Sequence, residues 1–232
     1  MDLAPYSILV VDDIRFSRAT LVRMLQGLGC QRVDEAGDGL AALDLLQKAT
    51  AKIDCVITDL EMPQMDGLAL LQAIRVGSGN IPRDLRVVLL TGHSDFERIG
   101  AALRLDLDAF LPKPASRQGL GECLARLLGR PDGDGERIGD PETYRSIDVA
   151  GATAATPAAR PPGEPGQHGE HCVPLNRLYQ GSVLARDLLF ANGRLLLAAG
   201  TRINSRTLQR LGELAPLAEL PLEAWIRGPG PA

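Results

Sequence analysis

The chain has 232 residues, 45% of them apolar but only 3% aromatic, and 25 Lys and Arg against 29 Asp and Glu leave a formal net charge of -4. That length suits one or two domains built on an aliphatic core, and the mild acidity excludes a whole-chain attraction to nucleic acid or anionic membrane. No apolar run approaches the ~20 residues of a membrane span, the first residues lack the basic and apolar regions of a secretion signal, and Cys30, Cys55, Cys123 and Cys172 form no Cys-x-x-Cys pair, so free thiols in a reducing cytoplasm are expected.

In chain order, short apolar runs occur at Ile8–Val11, more weakly at Arg32–Ala36, then at Cys55–Ile57, Val87–Leu90 and Ala109–Leu111. Non-alternating runs of this kind are expected of strands buried on both faces. Helical periodicity separates them. Leu21, Met24, Leu25 and Leu28 recur at helical spacing, as do Leu120, Cys123, Leu124 and Leu127. Ala41–Lys48, Leu68–Arg75 and Phe96–Leu105 complete the set, the last with Phe96, Ile99 and Leu103 on one face. Five alternations of strand and helix predict an α/β, doubly wound, five-stranded parallel sheet over residues 1–129,.

Residues 130–171 are dense in Pro, Gly and Ala and predict a flexible linker,. Residues 172–232 predict a small α+β module. Ser182–Asp187 and Arg194–Ala198 read as a hairpin across Asn192-Gly193, and Gly200-Thr201 reads as a turn,. Asn204 or Ser205 caps a helix to Leu214, with Ile203, Leu208 and Leu211 facing a core, and Pro221–Ile226 is a last strand,. A core this small gains from docking to a partner, to the first domain or to a second copy of the chain.

In a doubly wound sheet the binding crevice lies at the carboxyl ends of the strands. There the sequence places Asp12-Asp13 after the first strand, Asp59 after the third, Thr91 after the fourth and Lys113 after the fifth. Three clustered carboxylates repel one another unless a hard divalent cation such as Mg2+ joins them. Lys113 adds a point positive charge and Thr91 a hydrogen-bond donor, which is equipment for phosphoryl transfer. No Gly-rich nucleotide cradle is present,, so a carboxylate is itself the expected phosphoryl acceptor. Singly, each residue has an ordinary reading: an Asp as turn or helix cap, Thr91 as a turn residue, Lys113 as a surface lysine.

Val10-Val11-Asp12-Asp13, Asp59-Leu60-Glu61-Met62-Pro63-Gln64-Met65-Asp66-Gly67, Thr91-Gly92 and Phe110-Leu111-Pro112-Lys113-Pro114 together resemble the receiver domain of two-component response regulators, CheY-like in extent, over residues 5–129. The resemblance implies a flavodoxin-like strand order 2-1-3-4-5, with Asp59 as phosphoacceptor. It implies Mg2+ on Asp13, Asp59 and the backbone carbonyl of Glu61, with Asp12 assisting, and Lys113 and Thr91 on phosphoryl oxygens. Phe110 matches the family's aromatic switch position, where core packing is the competing reading, and the Lys113-Pro114 bond matches one that is often cis. The implied partners are a sensor histidine kinase or phosphotransfer protein, and a downstream protein meeting residues 95–128 or 172–232. A cytoplasmic switch, rather than an enzyme, is the role implied.

More weakly, Leu178–Asp187 followed by Asn192–Thr201 is similar to a small module found beside HD-GYP and related HD-type domains. No His-Asp pair or Gly-Tyr-Pro accompanies it, so no phosphodiesterase activity is expected. Arg202, Arg206 and Arg210 recur at helical spacing. The expected reading is a solvated helix face; the alternative is a DNA-binding regulator using this stripe. A haloacid-dehalogenase-like phosphatase is disfavoured, because its Asp-x-Asp would follow the first strand. His168-Gly169-Glu170-His171-Cys172 lacks a second spaced cluster and is not expected to bind metal. His93 is expected to be a solvent-facing loop residue.

Overall fold

The computed structural model describes residues 2–49, 51–92, 96–129, 138–149, 170–190, 193, 195–214, 220–221 and 223–227. Contacts divide the chain into two units, Met1–Asp95 with Leu105–Ala150, and Phe96–Arg104 with Gly151–Ala232.

The first unit alternates β1 (Ser7–Val11), α1 (Arg15–Gly27), β2 (Arg32–Ala36), α2 (Gly39–Lys48), β3 (Cys55–Asp59), α3 (Gly67–Val76) and β4 (Arg86–Thr91). After α4 (Phe96–Arg104), which falls in the second unit, it continues with β5 (Ala109–Pro112), α5 (Arg117–Leu128) and α6 (Pro141–Arg145). The strands are parallel in the order β2-β1-β3-β4-β5, as expected. β1 and β3 are buried at every position, which is why their sequences do not alternate. Ile8, Val10, Cys55, Ile57, Val88, Leu90, Ala109 and Leu111 share one core with Leu21 and Leu25 of α1 and Leu120, Cys123 and Leu124 of α5. Strand alternation sends Leu9, Val11, Val56 and Leu89 to the opposite face, and all four are wholly buried. Asp38, Asp66 and Ser116 cap α2, α3 and α5, each accepting from a main-chain N–H three residues on,.

Beneath the amino ends of β4 and β5 lies a buried cation. The Arg75 guanidinium is fully buried and forms a 2.6 Å ion pair with Asp108. It also donates to the carbonyls of Arg83, Leu85 and Asp106. The Asp108 carboxylate in turn accepts from the Val87 N–H at 2.8 Å. A desolvated charge survives there because its donors are used.

In the second unit, α4 is followed by β6 (Glu170–Pro174), β7 (Val183–Leu184), β8 (Leu188–Leu189), β9 (Leu195–Leu197), α7 (Ser205–Leu214) and β10 (Glu223–Arg227). β6, β10 and β7 form one antiparallel sheet; β8 and β9 pair separately. The expected hairpin is therefore corrected. The 182–187 stretch gives β7, which pairs with β10, and the partner of β9 is Leu188–Leu189. Asn192 lies outside the described residues. β6 begins inside the stretch read as linker. Asn204 caps α7, accepting from Thr207 N–H at 2.7 Å. The solvated Arg stripe is also corrected, because Arg210 is only 1% exposed. Cys30, Cys55 and Cys123 are buried free thiols, while Cys172 is an exposed one. No described helix is long and apolar enough to cross a membrane.

A second part of the expected linker, residues 138–149, is ordered against α3. Gln72 of α3 donates to the carbonyls of Tyr144 and Ile147, both at 2.7 Å. Tyr144 is 1% exposed. Its hydroxyl donates to Asp106 at 2.5 Å and accepts from the Gly139 N–H at 2.6 Å. One aromatic ring with both polar partners supplied holds this segment, although its composition is that of a linker. Burial first, and then the Asp106 carboxylate, push the Tyr144 phenol above its ordinary value.

Tyr144→Phe should cost about 1–3 kcal/mol in urea unfolding, because Gly139 N–H and Asp106 lose a buried partner. A phenol raised by folding stabilises fully below the ordinary tyrosine range and loses that contribution as pH rises beyond it. The gap between parent and variant should therefore narrow above pH ~10. A gap that widens there would contradict this role.

Candidate functional site

The carboxyl end of β1 is prolonged by one ladder step, Asp12 N–H donating to the Ala36 carbonyl at 3.2 Å. Asp12 is wholly buried. One of its carboxylate oxygens accepts from Ile14 N–H at 2.8 Å and the other from the Ser17 hydroxyl at 2.6 Å. Arg18 donates to the Asp12 carbonyl at 2.6 Å and pairs with Glu35 at 3.1 Å. Asp12 is thus oriented from both sides, whereas its neighbour Asp13 is exposed.

β3 ends in Asp59, which is 3% exposed. The Thr58 hydroxyl donates to the Asp59 carbonyl at 2.9 Å. The next loop turns at Gln64, whose φ of 65° is left-handed, a conformation that costs a non-glycine residue energy unless its surroundings hold it. The Met65 carbonyl accepts from the Gly39 N–H at 3.1 Å, and Gly67 N–H donates to Leu60 at 3.0 Å. A Cβ on Gly67 would fall 2.2 Å from the Asp59 carbonyl oxygen and 2.9 Å from Leu89 Cδ2, so only glycine lets α3 start this close behind the acidic strand end.

From β5 and the turn after it comes the positive charge. Lys113 N–H donates to the Thr91 carbonyl at 2.8 Å, and its ammonium lies 2.5 Å from Asp59 Oδ1. The Lys113-Pro114 peptide is cis. Thr91 is 4% exposed at the end of β4. Glu61 is exposed, and its N–H donates to Asp59 Oδ1 at 3.3 Å. Phe110 is 5% exposed and stands opposite Leu89 in the ladder.

Carboxylate oxygens of Asp12, Asp13 and Asp59 all lie within 4.8 Å of one another. Like charges at that distance and an effective dielectric of 20 repel by on the order of 3 kcal/mol. Burial raises the Asp59 carboxyl, Lys113 and the Glu61 N–H lower it, and Asp12 raises it; the net direction is up. Excess negative charge on hard oxygen donors, one of them reachable from solvent, fits a divalent cation.

The structure thus brings Asp12, Asp13, Asp59 and Lys113 together, with Thr91 at the adjoining strand end. His93 and His168 lie outside the described residues, and His171 and Cys172 are exposed on β6. Sequence reasoning missed Ser17 and Arg18, which orient Asp12, and Gly39 and Gly67, which permit the close backbone approaches. Ser17, five residues after Asp12, was the available signal for the first pair.

A doubly wound sheet with acidic and basic side chains converging at its carboxyl edge defines a receiver, and the response regulator receiver domain matches residues 8–125. The chain belongs to that family. It is 34% identical over 123 residues to chemotaxis protein CheY-3 of Vibrio cholerae, covering 53% of this chain and 92% of the relative. It is 37% identical over 123 residues to response regulator MprA of a Mycobacterium species, covering 53% of this chain and 49% of the relative, so it matches about half of that protein's length. A response regulator receiver domain protein from Clostridium thermocellum superposes with a TM-score of 0.49 at 28% identity, covering 54% of this chain and 95% of that one.

Gly67→Ala should destabilise the fold by about 1–3 kcal/mol through forced displacement of the Asp59 carbonyl, seen as a lower urea midpoint. An unchanged midpoint would show that the β3–α3 junction has slack.

Proposed function

We propose that this receiver accepts a phosphoryl group on Asp59 in a Mg2+-dependent reaction, from a sensor histidine kinase or phosphotransfer protein. The observation that carries the reading is the Lys113 ammonium 2.5 Å from Asp59 Oδ1, beside two further carboxylates within 4.8 Å. Asp13, Asp59 and the Glu61 carbonyl are the residues that would hold the cation, with Asp12 fixing the local geometry through Ile14 and Ser17. Bound there, the cation neutralises charge on the phosphoryl oxygens.

The chain's own part is positioning. An Asp59 oxygen attacks phosphorus in line, a P–O bond forms, and the P–N bond of the donor's phosphohistidine breaks; its electron pair returns to the ring, which carries a proton on the other nitrogen and so departs as neutral imidazole. Lys113 exchanges its carboxylate partner for a phosphoryl oxygen. The Thr91 hydroxyl donates to another, and Phe110 fills the space that Thr91 vacates. The resulting change of shape, over residues 95–128 or in the 172–232 module, is what a downstream protein reads. On this reading the protein is a cytoplasmic switch and not a turnover enzyme.

Incubation with acetyl phosphate and Mg2+ should add one phosphoryl group to the intact chain by mass. Asp59→Asn should abolish it; equal labelling of the variant would refute the assignment. Asp13→Ala should lower labelling by orders of magnitude while leaving the unfolding midpoint equal or higher, because one member of a repelling cluster is gone. Normal Mg2+-dependent labelling of that variant would remove Asp13 from the ligand set.

A further inference from the structure

Asp12 serves α1 as well as the acidic strand ends. The N-cap position of α1 is Ile14, whose side chain makes no capping hydrogen bond, and the first turn of the helix carries no acidic residue. The Asp12 carboxylate takes over that task. Its Oδ1 accepts from Ile14 N–H at 2.8 Å, and its Oδ2 accepts from the Ser17 hydroxyl at 2.6 Å. Ser17 is the third residue of a helix that begins at Arg15. The direction is the reverse of an ordinary cap: the helix side chain donates and the acceptor precedes the helix. An O–H···O contact this short, on an ionised acceptor, is charge-assisted, and the positive end of α1 stabilises the same anion. Both Asp12 oxygens are therefore committed to α1 independently of any cation.

The other two carboxylates are placed differently. Asp13 is exposed, and Asp59 pairs with Lys113 at 2.5 Å. The Ser17 hydroxyl thus decides how much of a third carboxylate the cluster offers. That quantity separates the hard cations. Mg2+ demands near-ideal geometry, keeps several waters and uses one or two carboxylates, whereas Ca2+ takes about 6–8 oxygens and accepts a carboxylate through both of its oxygens at once. An Asp12 with a donor on each oxygen suits the first demand and frustrates the second.

We propose that Ser17 is a positioning residue that sets the preference of this site for Mg2+ over Ca2+, by keeping one Asp12 oxygen committed to α1. The proposal rests on Asp12, Asp13 and Asp59 forming a Mg2+ site. Removing the hydroxyl releases that oxygen without releasing Asp12 itself. Ile14 N–H still holds Oδ1, and the Arg18 guanidinium still donates to the Asp12 carbonyl at 2.6 Å. Asp12 N–H still donates to the Ala36 carbonyl at 3.2 Å, and Arg18 N–H to that of Ile14 at 3.0 Å. The freed oxygen is a ligand that Ca2+ uses and that Mg2+, with its retained waters, does not require.

Calorimetric titration of the full chain with Mg2+ and with Ca2+, in the absence of a phosphodonor, reads the two dissociation constants and their ratio. The parent should bind Mg2+ the more tightly. Ser17→Ala should bind Ca2+ about tenfold more tightly than the parent does, the order of one charge-assisted hydrogen bond withdrawn, while its Mg2+ affinity moves by less. Ser17→Thr keeps a hydroxyl and should keep the parental ratio. Loss of a purely structural contact lowers the unfolding midpoint and leaves the ratio alone, so the ratio separates the two roles. A parental ratio in a folded Ser17→Ala overturns the proposal, as does a parent that prefers Ca2+ or an equal change of ratio in Ser17→Thr. A parent that binds Mg2+ leaves the Mg2+ reading standing in each of those cases. A parent that binds neither cation overturns that reading and, with it, the role of Ser17.

Discussion

Two carboxylates withdrawn from water stand side by side at the ends of β1 and β3, and their repulsion is the constraint that the surrounding structure answers. Asp12 and Asp59 are 0% and 3% exposed, so neither is screened by solvent. Asp12 is stabilised locally by the Ile14 N–H and the Ser17 hydroxyl. Asp59 is stabilised by Lys113, which arrives from another strand through a turn whose N–H is tied to Thr91. Parallel pairing of β1 with β3, β3 with β4 and β4 with β5 sets the spacing of all four strand ends. The chemistry and the ladder register are consequently one problem.

The opposite edge of the same sheet solves the inverse problem. Arg75 brings a single buried positive charge, and one carboxylate and three carbonyls surround it. A buried ion pair of this kind contributes little net stability but tolerates no missing partner. It ties α3 to the residues preceding β4 and β5, so those two strands start from a fixed base. Their other ends carry Thr91 and Lys113. The sheet is anchored at the edge where its charges are satisfied, and the charges in excess lie at the other edge.

The strands and most helices of the first unit were legible because β1, β3, β4 and β5 are apolar runs closed by a polar residue, β2 leaving only a weaker trace, and the helices keep their periodicity. The site was legible for the same reason: Asp12, Asp59, Thr91 and Lys113 are the residues that close those runs. What escaped was tertiary. Tyr144 sits among Pro and Gly, yet one buried ring with two hydrogen-bond partners orders its segment against α3. Arg210 falls at a spacing that reads as a solvated stripe and is nonetheless buried. The partner of β9 depended on which strand β10 would claim, and a two-residue strand such as Leu188–Leu189 leaves no pattern. The one-sided apolar face expected of α4 is corrected too: Gly100, Ala101 and Ala102, between Ile99 and Leu103, are buried as well.

Thiol chemistry on this protein has an uneven topography. Burial above all makes the Cys55 thiol a far weaker acid than usual and raises Cys30 in the same direction, which disfavours the thiolate that electrophiles attack. Cys172, whose thiol is also raised by desolvation and by Glu223, differs in being the exposed member of the four, and it stands directly opposite Trp225 across the β6–β10 pair. Trp225 is the chain's single tryptophan. Facing positions on paired strands bring side chains to about 5 Å, so one alkylated cysteine and one indole form a ready-made fluorophore and quencher within the second unit. The native sequence thus carries its own optical gauge of whether β6 remains paired with the central strand of that sheet.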